Sequence, residues 1–135
     1  MYALFVFTGC DRDPYPLSFE YFDVNWRDLN RDGKRNFGDE FYIDVRVNTN
    51  DPDPDDQYIT QYELTYAVNG RDAGVLDSRE DIRSNSLGLE FDVAVKYLTA
   101  PGLKELKRGD EIEFRFWAAD NCDTWVEDYY SFEIE

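Results

Sequence analysis

From Ser18 to the end of the chain, apolar and polar residues alternate with a period of two between clusters of turn residues, the pattern of half-buried β-strands. Phe19, Tyr21 and Asp23 alternate with Glu20 and Phe22 in a first strand that ends near Trp26. Phe41, Ile43, Val45 and Val47 alternate with Tyr42, Asp44 and Arg46 in a second. Tyr58, Thr60, Tyr62, Leu64, Tyr66 and Val68 define one face of a long third strand, with Gln61, Glu63 and Thr65 on the other. Asn69-Gly70 then supplies the positive φ angles of a tight hairpin, and a short return strand covers Ala73 to Leu76. Leu87 to Tyr97 makes a fifth strand, Ile112 to Ala118 a sixth, and Trp125 to Ile134 a seventh. Leu103 to Leu106 has the length of a single helical turn, and no stretch holds a longer helical period. Seven strands with no helices between them predict an all-β fold, an antiparallel β-sandwich.

Size and charge narrow the picture. The 135 residues fit one domain, read as a sandwich over residues 18–135 behind a short linker at 11–17. Fourteen basic against thirty acidic residues leave a net charge of −16, which repels phosphate backbones and disfavours a nucleic-acid partner. Histidine is absent, which removes the commonest general base, the serine–histidine triad and most zinc chemistry. With no nucleophile motif and no phosphate loop, the chain reads as a protein that is not an enzyme.

Residues 1–10 form an apolar run, Tyr2 to Phe7, that ends in Thr8, Gly9 and Cys10. Such a run closing on small residues reads as the remnant of a secretion signal. Phe7-Thr8-Gly9-Cys10 resembles a bacterial lipobox, and the resemblance implies that Cys10 is lipidated and tethers the domain to the cell envelope, with an outer-membrane or extracellular address. Membrane contact is then made through the lipid alone. The same segment also reads as an N-terminal strand or apolar tail. The second cysteine, Cys122, offers a competing fate for Cys10, a disulfide closing a long loop, and a lipidated sulfur cannot form it. Lipidation is the preferred reading.

Between the first two strands lies Asp28-Leu29-Asn30-Arg31-Asp32-Gly33-Lys34-Arg35-Asn36-Phe37-Gly38-Asp39-Glu40. Oxygen-bearing side chains stand at loop positions 1, 3 and 5, glycine at 6, Asn36 at 9 and Asp39 at 12, a spacing that resembles the calcium loop of EF-hand and dockerin proteins. Alternate residues of a tightly wound loop aim their oxygens at one centre, and Gly33 permits the sharp turn. The ligand set for a structural Ca2+ is Asp28, Asn30, Asp32, the Lys34 carbonyl and Asp39, with Asn36 direct or through water and Glu40 in reserve. Magnesium is second choice, because it favours a smaller, wetter cage. The competing reading is an acidic turn whose side chains only cap backbone groups. A second acidic stretch, Asn50 to Asp56, has alternating prolines and no glycine, and reads as a solvated loop.

Strands rather than helices flank the metal loop. The loop resembles those of bacterial secreted sandwich domains, including CARDB-like adhesion modules, in which the metal is structural. Gly109-Asp110 followed by Ile112 to Asn121 resembles the last strand pair of bacterial immunoglobulin-like and fibronectin-III-like domains. The antibody-type Cys…Trp…Cys spacing is missing, so the implied relationship is to a distant immunoglobulin-like sandwich. Two functions are carried forward. The first is a non-catalytic, calcium-stabilised module of a bacterial surface lipoprotein, structural or protein-binding. The alternative is a carbohydrate-binding module, in which Trp26, Trp117 and Trp125 stack on sugar rings. Against that stands ordinary cross-strand packing of each tryptophan. The partner is therefore a protein or a glycan at the cell surface. Alternation of loops between the two ends predicts that the metal loop lies at the end remote from the N-terminal tether.

Overall fold

In a computed structural model, residues 14–53 and 55–135 are described, and they hold seven antiparallel strands. These are β1 (Ser18–Arg27), β2 (Glu40–Asn48), β3 (Ile59–Val68), β4 (Arg71–Arg79), β5 (Ser86–Ala94), β6 (Glu111–Asp120) and β7 (Trp125–Glu133). A three-stranded sheet in the order β1-β2-β5 packs on a four-stranded sheet in the order β4-β3-β6-β7. The two sheets make the antiparallel β-sandwich the pattern predicted, with the fourth strand joined to the second sheet.

The core follows from the alternation. Phe41, Ile43, Val45 and Val47 of β2 and Ile112, Phe114, Phe116 and Ala118 of β6 are fully buried, while their odd-numbered or even-numbered neighbours face outward. Phe41 lies 4.3 Å from Phe132 and 5.6 Å from Phe114, ring centre to ring centre, so aromatic contacts lock the sheets together at one end. Tyr62 stacks on Phe116 at 5.7 Å nearer the other end. The hairpin at Asn69-Gly70 has φ of 51° and 79°, the pair of positive angles that matches strand twist.

Five local expectations change, two of them for one reason. A β-bulge between Ile59 and Gln61 adds a residue to β3, so Ile59 and Tyr62 both face the core and the expected inward run through Tyr58 and Thr60 is out of phase. A second irregularity, between Phe19 and Tyr21, puts Phe22, Val24 and Trp26 against the core in place of Tyr21 and Asp23. The fifth strand stops at Ala94, where Val95–Tyr97 form a 3-10 turn that leaves Tyr97 exposed. Residues 101–104 form a turn closed by an Ala100–Lys104 bridge, in place of the helical turn read at Leu103 to Leu106. The return strand β4 is also longer than read, nine residues with two register shifts.

The 28–39 loop lies at one end of the sandwich and Gln57 and Asn121 at the other. The 28–39 loop meets the 3-10 turn, where Val95 N donates to Asp39 O, and the C-terminus, where Glu135 N donates to Arg35 O. At the opposite end, Gln57 bonds both Tyr15 and Asp120, and Asn121 bonds Tyr58 and Asp56. Pro14 to Leu17, the end of the segment read as a linker, lies against this end, with Leu17 buried and Pro16 O accepting from Asn50. The signal remnant and its Cys10 lie outside the described residues. Cys122 is disulfide-bonded.

Candidate metal loop and aromatic sheet face

The loop of residues 28–39 winds because its own carboxylates gather backbone N–H groups. Asp28 accepts from Asp32 N at 3.2 Å and from Gly33 N at 2.8 Å, and Asp32 accepts from Lys34 N at 2.9 Å. Arg31 and Gly33 take φ of 59° and 73°, the reversals that turn the chain back on itself. Asn36 Nδ2 donates to Asp32 Oδ2 at 2.5 Å, and Asn30 Nδ2 donates to Asn36 Oδ1 at 3.1 Å. The Asn36 amide and the Lys34 N–H together hold the Asp32 carboxyl below its ordinary pKa.

Asp39 is the buried member, 2% exposed. Its carboxylate accepts Leu29 N at 3.2 Å, Asn36 N at 3.0 Å and Trp26 Nε1 at 3.1 Å. One carboxylate thereby ties both arms of the loop to the end of β1. Arg35 lies with its guanidinium 4.6 Å from the Trp26 ring centre, and its backbone pairs with Glu135 in both directions.

This winding brings Asp28, Asp32 and Asp39 together, with one carboxylate oxygen of each lying within 4.8 Å of the others. Three carboxylates that close repel one another unless a cation sits among them. A carboxylate oxygen that accepts one hydrogen bond keeps a second lone pair, so the bonds that shape the loop leave coordinating capacity, on Asp39 at Oδ1 because Oδ2 already accepts two. Hard oxygen donors alone suit calcium or magnesium rather than a softer metal. Asn30, Lys34 and Asn36 belong to the same coil. Glu40, the reserve ligand, instead pairs with Arg27 at 3.1 Å on the face of the three-stranded sheet. The Asn50 to Asp56 stretch turns on itself, with Asp51 and Asp53 each accepting the N–H two residues on, at 2.8 and 3.0 Å.

The three tryptophans separate. Trp26 packs against the core with Arg35 over its ring and its N–H committed to Asp39, so it supports the 28–39 loop. Sequence reading missed that role, and missed Arg35 altogether, because a donor reaching a carboxylate thirteen residues away leaves no periodic trace. Trp117 and Trp125 lie on the outer face of the four-stranded sheet, with Trp117 on the parity of Glu113 and Arg115. Trp117 pairs across strands with Glu63 and Glu127, and Trp125 with Ala119. The Trp117 Nε1 donates to Glu63 Oε1 at 3.3 Å, while Trp125 is 64% exposed. A cleft of about 450 Å³ lies between the two rings over Ala119.

No protein-family model and no curated protein matches the chain. Among solved structures, the solution structure of AT1g01470 from Arabidopsis thaliana is similar at 19% identity, with a TM-score of 0.47, over 97% of this chain and 88% of that one. The likeness concerns the fold. The chain is, by its strands and sheets, a seven-stranded antiparallel β-sandwich.

Proposed function

We propose that the protein is a non-catalytic, calcium-braced immunoglobulin-like module of the cell envelope, with a structural or protein-binding role. The observation that carries this reading is the convergence of Asp28, Asp32 and Asp39 in a loop that clasps the end of the sandwich. A bound Ca2+ would offset the repulsion among the three carboxylates and fix the loop against β1, the 3-10 turn and the C-terminus. The ion would act as a brace, because no helix pair flanks the loop to open or close on binding. A disulfide at Cys122 suits an oxidising compartment, which is also where calcium is abundant. The lipid anchor is a separate proposal that requires Cys10 as a thioether. Cys10 is the chain's only other cysteine, so the anchor and an intramolecular disulfide exclude each other.

The test is a thermal melt in calcium against one in EDTA, repeated on Asp32→Ala. Calcium at about a hundred times its dissociation constant adds roughly 2.7 kcal/mol, a shift on the order of ten degrees for a domain of this size. The expected result is a shift of that order in the wild type and none in the variant. Superimposable wild-type melts would reduce the loop to an acidic turn.

A further inference from the structure

The outer face of the four-stranded sheet has features that the metal loop does not use. Its rows run across strands: Gln61–Ala119–Trp125, then Glu63–Trp117–Glu127, then Thr65–Arg115–Tyr129. The small side chain of Ala119 leaves a notch between Trp117 and Trp125, and Asp123 and Glu127 stand at its rim. A second depression, about 370 Å³, continues past Trp117 toward Asp72 and Arg115, and Trp117 and Glu127 line both. The result is one trough running obliquely over the sheet.

Its charge is one-sided. Asp120, Asp123, Glu127, Glu63 and Asp72 line the trough, against the single cation Arg115. Arg115 is already engaged, 2.6 Å from Glu113 and 3.9 Å from Asp72. Asp120 is occupied by Gln57, Cys122 and Thr124. Glu127 and Asp123 make no ion pair among the described residues, and Trp117 has a carboxylate on either side. Indole faces carry negative potential, so rings set between carboxylates favour a cation strongly. An uncharged ring would stack there but leave the carboxylates uncompensated, and a phosphate or acidic sugar would be repelled.

We propose that this trough is a docking site for a basic segment of a partner protein, with an arginine or lysine side chain lying in the Trp117–Trp125 notch and its charge on Glu127 and Asp123. The site rests on the protein-binding form of the function proposed above, and gives that form a surface and a partner chemistry. Net charge of −16 on the whole chain draws such a segment in, and the trough gives it a place to stop.

The experiment titrates the full chain with a capped hexa-arginine peptide by calorimetry, and follows the three indole N–H signals by NMR. It is run in calcium and in EDTA, with neutral cellohexaose and xylohexaose as parallel probes. The peptide is expected to move the signals of Trp117 and Trp125 and leave that of Trp26 in place. Trp125→Ala should weaken binding about three- to tenfold, and the isosteric Glu127→Gln several-fold. Asp23→Asn, an exposed charge on the other sheet, should leave it unchanged. Melts of the variants check that each is folded, and all three substituted positions are solvent-exposed. Equal losses in Glu127→Gln and Asp23→Asn, with none in Trp125→Ala, would mean diffuse attraction to an acidic protein and overturn the site. Absence of peptide binding, or tighter binding of a neutral hexasaccharide through the same two indoles, would also overturn it. Peptide binding in EDTA with no calcium shift in the melt would leave the trough standing and remove the metal.

Discussion

Replacing Asp39 separates the loop's own architecture from its capacity to hold a metal. Asp39→Ala in EDTA strands three donors, Trp26 Nε1, Leu29 N and Asn36 N, that now bond a carboxylate at 3.0–3.2 Å. Hydrogen bonds to a charged group contribute about 1.5–3 kcal/mol each, but the two backbone donors lie in a loop that water can enter. The indole N–H lies beneath Arg35 and recovers least. The net loss is therefore about 3–4 kcal/mol, short of the sum, and lowers Tm by roughly ten degrees. Asp39→Asn keeps one acceptor oxygen and the volume, and should cost about half as much. The assay is urea unfolding in EDTA, followed by near-ultraviolet circular dichroism from the aromatic core. Asp32 is exposed, and Asp32→Ala should leave the metal-free midpoint close to wild type while removing the calcium response. An Asp39→Ala midpoint within about 1 kcal/mol of wild type would refute the argument that this carboxylate holds the loop.

Two further outcomes follow from single residues. A Cβ at Gly38 would stand 2.3 Å from Asn30 Nδ2, so Gly38→Ala must push the Asn30 side chain from its bonds with Asn36 and Asp32. The loss is offset by the lower chain entropy of the unfolded alanine variant, so stability in EDTA should stay within about 1 kcal/mol of wild type. Calcium affinity, measured by calorimetry, should nevertheless fall. Asp110 is held below the ordinary carboxylate pKa by Asn69 Nδ2 at 3.0 Å and Lys107 N at 2.9 Å. A folded-state pKa below the unfolded one means its stabilisation is complete above the unfolded value of 3.8 and is lost as pH falls through the lowered folded value. Urea midpoints of wild type and Asp110→Asn should thus differ at pH 7 and converge at the acid end of the range. A constant difference across that range would contradict the assignment.

Most of the strands were legible because burial on one face imposes a period of two, and β2 and β6 obey it without a break. The errors fall where that period is locally interrupted. The bulge at Ile59/Gln61 and the irregularity at Phe19/Tyr21 each shift the phase by one residue, which exchanges the two faces of a strand. Nothing in the composition of those segments marks the extra residue, since large apolar side chains stand at both parities. The spacing of Asp28, Asn30, Asp32, Gly33 and Asp39 was likewise readable, because a single tight coil is a local object. Glu40 pairs with Arg27 rather than turning into the coil, a choice that depends on where the neighbouring strand lies.

The sequence by itself determined the all-β class, the strand count and the oxygen-rich coil between the first two strands. Each of these is written in residues that are neighbours along the chain or in a repeat of fixed period. Only the tertiary structure decided that Trp26 and Arg35 brace the 28–39 loop, that the C-terminal Glu135 closes on it, and that Trp117 and Trp125 share one trough with Glu127. Those arrangements depend on strand register and on which strands are neighbours in a sheet. Register is set by packing of the two inner faces, a property of the whole core that no local segment carries.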